Sequence, residues 1–441
     1  MKRKIYPEKD SKTPFYKIVS FPLAVGLGAL PLTVWVTNQV PFLPPSGVQK
    51  FLGMLFLADL ALLGLFLLAW KARETVPRYP VKKMGSKQKR LANAVKRRLN
   101  RKNLVDVLKL SSETEFGYEM PAVYCYIAHD LASGYIAIEN LGHAEKLDRS
   151  LLAESISGIL SSRKLRRFSV VSTELSRDQV FYIFHLEDTK TSQRLIVRNG
   201  DLEPFVSQNP HEIKLAKDLI WRVDTSTPFL AVIGRTRSGK SYFVAHYLLP
   251  LMQKQGWGVE FHSVKGDIYV KQFHGESDPQ KIIERLEFWV DVMKQRNEQI
   301  TQLGKEKYSE VEGMKDIAIV IDEIGALNGF LSSDRKLEKR WISAITQLTS
   351  TGASSGIHVI ALAQYASVQG FLPSAAKTNI SDSVIFLGMA ADSPSDRQFL
   401  VPGSEIAPRR YAVGQGLARI VTAGRKWENL HFYETPLFKS K

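Results

Sequence analysis

The sequence predicts an α/β protein whose C-terminal half is built on a parallel sheet, preceded by a small α+β domain. From about residue 213, short apolar runs, glycine loops and helix-like segments alternate, as in strands joined by crossover helices. Between residues 104 and 201, β-branched and aromatic residues concentrate in four strand-like segments, and one segment has helical spacing. The strand-like segments are Val123–His129, Tyr135–Glu139, Phe168–Leu175 and Val180–Leu186, and the helical one is Ser150–Leu160.

The net charge of the 441-residue chain is +16, and nearly all of it lies near the N-terminus. Residues 71–102 contain thirteen Lys/Arg and one acid, whereas the charges of residues 103–441 sum to zero. Net charge is therefore no evidence for nucleic-acid binding. The single cysteine, Cys125, excludes an intrachain disulfide and the usual cysteine-based zinc sites.

Two apolar runs predict an N-terminal membrane anchor made of two transmembrane helices. Residues 18–40 contain no charge and residues 51–70 contain only Asp59, and each run reaches the roughly 20 residues that a span needs. Both outer flanks are basic, so the positive-inside rule places both termini in the cytoplasm of a multi-pass cell-membrane protein. The basic stretch Lys82–Lys102 is expected to contact anionic lipid, with a DNA contact as the alternative.

A phosphate-binding loop follows the apolar strand Phe229–Ile233. The eight residues fit the pattern G-x-x-x-x-G-K-[ST], and a helix pattern follows them, which is the setting that this motif requires. Glycines let backbone N–H groups approach phosphate oxygens, the lysine reaches the β- and γ-phosphates, and the serine hydroxyl binds Mg²⁺. The predicted ATP-binding residues are Gly234, Arg235, Thr236, Arg237, Ser238, Gly239, Lys240 and Ser241.

Two further buried strands end in polar residues that complete a hydrolytic site. The run Ile317–Ile321 ends in Asp322 and Glu323, where the first acid is expected to hold Mg²⁺ with Ser241 and the second to polarise the attacking water. The run Ile357–Ala363 ends in Gln364, which is expected to sense the γ-phosphate or orient the water. Lys240 joins these residues in the predicted catalytic set.

The order of these motifs resembles the FtsK/SpoIIIE family of hexameric DNA pumps over residues 229–420. Besides the phosphate-binding loop, the resemblance rests on Glu260–Asp267, Trp289–Gln299, Gly356-Ile357-His358 through Gln364, Asn379-Ile380 and Ser395-Asp396-Arg397. The chain departs from the family where Ser263-Val264-Lys265 replaces Asp-Pro-Lys and where Tyr365-Ala366 replaces Arg-Pro. Two apolar spans and a compact N-terminal domain are most similar to the TcpA-type coupling proteins of Gram-positive conjugative elements.

This resemblance implies a RecA-like sheet assembled as a hexameric ring around DNA. It also implies ATP at subunit interfaces, with an arginine supplied by the neighbouring subunit. Arg397 is the first candidate for that arginine, and Arg409 and Arg410 are alternatives. A relaxase and transfer-channel proteins are the implied further partners.

The sequence therefore predicts three segments and leaves more than one function open. The segments are a membrane anchor (1–102), an α+β adaptor or oligomerisation domain (103–212) and an FtsK-like ATPase domain (213–441). The first hypothesis is an ATP-driven DNA translocase that serves as a conjugative coupling protein. The alternatives are a chromosome-segregation pump, a protein-secretion ATPase of the same superfamily, and a membrane scaffold that only binds nucleotide.

Overall fold

A computed structural model describes residues 5–6, 15–39, 45–72, 75–141, 149–161, 165, 167–188, 192, 194–404, 406 and 409–440. The chain forms two compact units, one made of residues 1–148 and 174–183 and the other of residues 149–173 and 184–441. This division does not test the predicted domain boundaries after residues 102 and 212, which stay predictions.

The first unit combines long helices with short strands. Its helices are α1 (Phe15–Gln39), α2 (Pro45–Ala72) and α3 (Ser86–Arg98), followed by a π-helical turn at Asn103–Val107. Its strands are β1 (Ile5–Tyr6), β2 (Ser112–Thr114), β3 (Gly117–Glu119), β4 (Val123–Ile127) and β5 (Ser133–Glu139). Strand β3 lies between β1 and β2, and β4 pairs antiparallel with β5.

The predicted membrane anchor is corrected by the structure. Within the part of the chain that the structure describes, no helix is both long enough and apolar enough to cross a membrane. This finding contradicts the two predicted spans, residues 18–40 and 51–70, and the multi-pass membrane localisation. That prediction rested on the length and apolar character of two runs and on their basic flanks, and the apolar residues of such runs can also pack against neighbouring helices. Val19 and Leu23 of α1 are buried, and Asp59 of α2 lies against Gly26.

The rest of the chain supplies the remaining elements. Its strands are β6 (Phe168–Leu175), β7 (Phe181–Asp188), β8 (Ile196–Arg198), β9 (Glu212–Ala216), β10 (Leu219–Arg222), β11 (Leu230–Gly234), β12 (Gly258–Ser263), β13 (Ile317–Asp322), β14 (Ile357–Ala363), β15 (Ser383–Leu387), β16 (Gln415–Ile420), β17 (His431–Glu434) and β18 (Leu437–Lys439). Its helices are α4 (Arg149–Leu160), α5 (Lys240–Phe243), α6 (Leu249–Lys254), α7 (Ile268–Gln272), α8 (Pro279–Gln302), α9 (Ile324–Leu331), α10 (Arg335–Thr351), α11 (Ser374–Ile380), α12 (Met389–Asp392) and α13 (Pro394–Leu400). A π-helical turn at Val244–Leu248 joins α5 to α6.

A seven-stranded sheet forms the centre of the second unit, in the order β12-β13-β14-β11-β15-β16-β17. The first five strands are parallel, whereas β16 and β17 are antiparallel to their neighbours. The expectation of a parallel sheet therefore holds only for part of it. The connection from β16 to β17 is too short for the crossover that a parallel pair needs, which is about a dozen residues or more.

Helices cover both faces of this sheet, and β11 shows it residue by residue. Leu230 and Val232 pack into the core that contains α5 and α6, whereas Ala231 and Ile233 pack into the core that contains α8, α9 and α10. Side chains alternate between the two faces of a strand, so a strand buried on both faces is apolar throughout. Because β11, β13 and β14 are parallel, their carboxyl ends lie at one edge of the sheet, where the predicted catalytic residues follow.

A buried polar cluster ties the opposite, amino-terminal ends of the strands together. Asp316 directly precedes β13, and its carboxylate accepts hydrogen bonds from the Tyr308 hydroxyl, from His358 Nε2 at 2.9 Å and from His211 Nδ1 at 2.9 Å. His358 Nδ1 lies 2.9 Å from the carbonyl oxygen of Pro228, just before β11. The histidine of the Gly-Ile-His motif thus connects three strands of the sheet.

The environment of Asp316 favours its ionised form. Burial by itself would raise the pKa of this carboxyl group, but the hydrogen bonds from His358 and Tyr308 and the nearby imidazoles lower the pKa below its ordinary value. The cluster therefore stabilises the fold most strongly while Asp316 is ionised.

Asp316→Asn is expected to lower the free energy of unfolding at neutral pH by about 1.5–3 kcal/mol, since it removes charged hydrogen bonds in a buried site. A carboxyl group with a lowered folded-state pKa stabilises the fold above its unfolded-state pKa, and this stability is lost as the pH falls through the folded-state value. Urea unfolding at a series of pH values should show a smaller loss of stability on acidification in the variant. The control is Asp291→Asn, which changes an exposed carboxylate on α8. Wild-type pH dependence in Asp316→Asn would contradict this role.

Candidate active site

The phosphate-binding loop forms a tight turn between β11 and α5. Gly239 has a φ of +94°, and Arg237 also adopts the left-handed region with a φ of +66°. A Cβ atom at Gly234 would lie 2.3 Å from Ser238 Oγ, so a side chain there would force Ser238 to move. The loop lines a cavity of about 230 Å³ together with Tyr242, Lys265, Glu323 and Gln364. The eight predicted loop residues, Glu323 and Gln364 are therefore gathered around one cavity at the carboxyl edge of the sheet.

Asp322 connects this loop to β13. Its Oδ1 atom lies 2.7 Å from Lys240 Nζ, and its Oδ2 atom accepts a hydrogen bond from Ser241 Oγ at 2.8 Å. Lys240 and Asp322 are both buried. The Lys240 ammonium group thus lies at the cavity of the phosphate-binding loop. A phosphate oxygen of a nucleotide bound there would compete with Asp322 for this ammonium group.

Glu323 is held in an unusual backbone conformation. Its φ of +57° lies in the left-handed region, and its N–H donates to Asp322 Oδ1 at 2.8 Å. The carboxylate accepts hydrogen bonds from Lys265 Nζ and, at 2.8 Å, from Gln364 Nε2. A non-glycine residue in this region costs energy and is frequent at functional sites. The backbone therefore directs the second acid toward the cavity.

The charge of Glu323 is stabilised by its neighbours. Burial opposes ionisation, but the Lys265 hydrogen bond, the Lys240 charge and the Gln364 amide together lower the pKa of the carboxyl group below its ordinary value. Glu323 therefore stays ionised at neutral pH, as a proton acceptor must.

Gln364 lies where the order of motifs predicts it. Its amide nitrogen donates to Glu323, and its Oε1 atom accepts a hydrogen bond from Thr236 Oγ1 at 3.4 Å. The side chain thus bridges the phosphate-binding loop and the second acid, which is a suitable position for orienting a water molecule beside the γ-phosphate.

The chemistry of the donors suits Mg²⁺. Ser241 supplies a hydroxyl oxygen and Asp322 a carboxylate, and these hard oxygen ligands are the kind that Mg²⁺ prefers, usually with several waters and substrate phosphates. In the described ranges, no group of three or more His, Cys, Asp and Glu residues is arranged to hold a metal by itself. The protein therefore offers a partial ligand set of the type that a nucleotide completes.

Asp396 is a site residue whose role the sequence did not reveal. This buried carboxylate accepts a hydrogen bond from Arg235 Nη2 at 2.9 Å and another from the N–H of Ala366 at 2.7 Å. It therefore joins the phosphate-binding loop to the segment that follows Gln364. The Ser-Asp-Arg step was the available signal in the sequence, but the family resemblance indicated a role for its arginine and none for its aspartate.

The structure places Arg397 inside its own chain. The guanidinium donates to the carbonyl oxygens of Ala391 at 2.6 Å and Ile406 at 3.4 Å, and the residue is 3% exposed. Arg409 is half-buried and lies over the Phe432 ring, whereas Arg410 is exposed. An arginine that acts on a neighbouring subunit has to reach the surface, and of these three Arg410 meets that condition.

A C-terminal loop also supports the phosphate-binding loop. The N–H of Gly414 donates to the carbonyl oxygen of Ser238 at 3.0 Å, and Arg194 Nη2 donates to the carbonyl oxygen of Val413 at 2.8 Å. The Gly-Gln-Gly sequence that begins at Gly414 was the only signal of this contact, and Gly414 has a φ of +72°.

Comparisons with known proteins find similar chains among solved structures. No protein-family model matches the chain, and no curated protein sequence matches it. Its structural neighbours include a conjugation coupling protein. This is TcpA of pCW3, a monomer form with ATPγS, with 14% identity, 77% of this chain and 94% of that chain covered, and a TM-score of 0.47.

Two other neighbours are a Type VII secretion ATPase and a viral packaging ATPase. The cytoplasmic domain of EccC from Thermomonospora curvata has 16% identity, 56% of this chain and 32% of that chain covered, and a TM-score of 0.40. The DNA-packaging ATPase B204 of Sulfolobus Turreted Icosahedral Virus has 16% identity, 47% of this chain and 97% of that chain covered, and a TM-score of 0.29. TcpA among these neighbours is of the type that the sequence resemblance names. The P-loop ATPase fold of this chain rests on its own strand order and phosphate-binding loop.

Asp396→Ala is expected to weaken binding of an ATP analogue by about tenfold, or ~1.4 kcal/mol. The variant releases Arg235 and leaves the Ala366 N–H without its acceptor, so the loop and Gln364 lose their common support. Titration with a fluorescent ATP analogue measures the effect. Ser395→Ala changes the exposed neighbour and should bind like the wild type. Equal affinity of all three proteins would show that Asp396 does not position the site.

Proposed function

We propose that this chain hydrolyses ATP to move DNA, and that it acts as a coupling ATPase that delivers DNA to a transfer channel in conjugation. The observation that carries the hydrolytic part is the position of Glu323. It directly follows Asp322, its backbone is fixed in a left-handed conformation, and its carboxylate lines the cavity of the phosphate-binding loop. A protein that only binds nucleotide needs no ionised carboxylate at this point.

Each residue of the site has a definite task in this proposal. Lys240 leaves Asp322 and binds the β- and γ-phosphates, and Glu323 accepts a proton from the attacking water. Gln364 orients that water through its amide. Mg²⁺, held by Ser241 and Asp322, would neutralise charge on the phosphate oxygens.

The proposed DNA substrate is supported by the ordered motifs that resemble FtsK/SpoIIIE pumps and by the charge at the start of α10. Arg335, Lys336 and Lys339 are exposed there, on the helix that leads from β13 toward β14. Exposed Lys and Arg side chains bind the phosphate backbone and release its counterions. Residues 213–441 carry a net charge of +5 spread over the whole segment, so a local basic surface is the relevant feature.

We also propose that copies of the chain assemble into a ring, by the resemblance a hexamer, in which a neighbour's arginine completes the site. Arg397, the first candidate from the sequence, would have to leave two carbonyl oxygens of its own chain to reach a neighbour. The exposed Arg410 pays no such cost and becomes the first residue to test.

Glu323→Gln is expected to bind ATP at least as tightly as the wild type and to hydrolyse it about 10²–10⁴-fold more slowly, because the water loses its proton acceptor. Phosphate release and nucleotide titration measure the two properties separately. Lys240→Ala should instead lose binding, since its ammonium lies at the head of the loop. Turnover near the wild-type rate in Glu323→Gln would assign the role of proton acceptor to another group.

DNA should stimulate hydrolysis by the wild-type protein, and a combined Arg335→Ala, Lys336→Ala, Lys339→Ala variant should bind DNA more weakly. If each side chain contacts one phosphate, the slope of log affinity against log salt should fall by about 2 to 3. Lys305→Ala changes an exposed lysine between α8 and β13 and should leave the slope unchanged. Stimulation by a polypeptide but not by DNA would refute DNA translocation and favour a secretion ATPase.

A further inference from the structure

Lys265 lies beside the catalytic edge in a turn whose backbone is well supported. It follows β12, which pairs in parallel with β13 so that Ser263 is level with Asp322. The N–H of Lys265 donates to Ser263 Oγ at 3.3 Å, and the next residue, Gly266, has a φ of +61°. The turn therefore places the Lys265 side chain next to Glu323, although the two residues are far apart in sequence.

The ammonium of Lys265 occupies one oxygen of the proposed proton acceptor. Lys265 Nζ donates a hydrogen bond to Glu323 Oε1, and Gln364 Nε2 donates one to Glu323 Oε2. Lys240 Nζ lies 3.5 Å from Glu323 Oε1. Both carboxylate oxygens are therefore engaged by protein donors. A general base must have an oxygen within hydrogen-bond reach of the water that it deprotonates. In this arrangement Glu323 is ionised, but neither of its carboxylate oxygens is free to accept a proton from water.

The contact between Lys265 and Glu323 is easily exchanged. The lysine side chain is 51% exposed, whereas that of Glu323 is 7% exposed. Water can reach and screen the half-exposed lysine, and an ordered lysine loses conformational freedom, so both effects favour its release. Lys265 also lines the same cavity as the phosphate-binding loop. A triphosphate in that cavity carries several negative charges and competes well for this ammonium.

We propose that Lys265 is a catalytic cation that transfers from Glu323 to the γ-phosphate when ATP binds. This inference rests on the proposed ATPase function and adds a residue to it. The transfer has two consequences in one chain: it frees Glu323 Oε1 for the water, and it brings a second ammonium to the phosphate beside Lys240.

Hydrolysis then takes place at the γ-phosphorus. The water oxygen forms a bond to the γ-phosphorus while the bond from that phosphorus to the β,γ-bridging oxygen breaks. The water proton passes to the freed carboxylate of Glu323, and the electron pair of the broken bond stays on ADP. Lys265 and Lys240 donate hydrogen bonds to the γ-phosphate oxygens, where negative charge lies in the transition state. With ADP there is no γ-phosphate, so Lys265 remains on Glu323.

The test compares Lys265→Met, Lys265→Arg and a matched control, Lys271→Met, which changes an exposed lysine on the neighbouring α7. The dissociation constants for ADP and for a non-hydrolysable ATP analogue are measured for each, with kcat for ATP. Lys265→Met should bind the analogue about tenfold more weakly, bind ADP within twofold of the wild type, and lower kcat by about 10²-fold. Lys265→Arg should restore part of the analogue affinity, and Lys271→Met should match the wild type.

A second comparison removes the competitor for the ammonium. Glu323→Gln should bind the analogue more tightly than the wild type does, while its affinity for ADP should stay unchanged. The gain in analogue affinity should disappear when Lys265→Met is added. A residue with only a structural role would not produce an effect specific to the triphosphate.

Two outcomes would overturn the proposal. If Lys265→Met binds ADP and the analogue in the wild-type ratio, the ammonium does not reach the γ-phosphate. If its kcat rises, Lys265 only restrains Glu323. Failure of the proposed ATPase function appears differently: the wild type would then show no hydrolysis, or would bind the analogue no better than Lys240→Ala does. The affinity ratios for Lys265 do not depend on turnover, so they remain decisive when hydrolysis is slow.

Discussion

The carboxylate of Asp322 is the constraint on which the rest of the site depends. It is buried at the end of β13 and accepts hydrogen bonds from Lys240, from Ser241 and from the N–H of Glu323. A buried charge is costly unless donors surround it, and here these three donors do so. Since two of them belong to the phosphate-binding loop, Asp322 fixes that loop relative to β13 although β14 lies between β11 and β13. Any shift of β13 therefore also moves the groups that bind phosphate.

The parts of the fold and site that the sequence predicted depend on local patterns. The phosphate-binding loop needs a strand, glycines at fixed positions and a helix start, all within a few neighbouring residues. Asp322, Glu323 and Gln364 each follow an apolar run that is buried on both faces, and parallel strands bring such ends to one edge. Their convergence could therefore be predicted without knowing any long-range contact.

The parts that the sequence did not predict depend on partners that no local pattern specifies. The pairing of Arg235 with Asp396 joins residues 161 positions apart, and the sequence indicates two charged residues without indicating that they meet. Arginine is a residue type usually found at the surface, yet the Arg397 guanidinium donates hydrogen bonds to backbone carbonyl oxygens inside the chain. For the N-terminal apolar runs, run length, apolar character and basic flanks led to a membrane assignment, and none of these features is specific to a membrane span.

The pairing of charges at the carboxyl edge explains how the site can distinguish a triphosphate from a diphosphate. Lys240 is paired with Asp322, Lys265 with Glu323 and Arg235 with Asp396, so each cation already has a carboxylate partner. A nucleotide phosphate that binds one of these three cations must replace its carboxylate, and the exchange is easiest where the cation is exposed, as Lys265 is. The buried Lys240–Asp322 pair can separate only if phosphate takes the lysine while other positive charge reaches Asp322. Binding and the release of Glu323 are thus parts of one exchange of partners, and the γ-phosphate is the group whose presence drives it to completion.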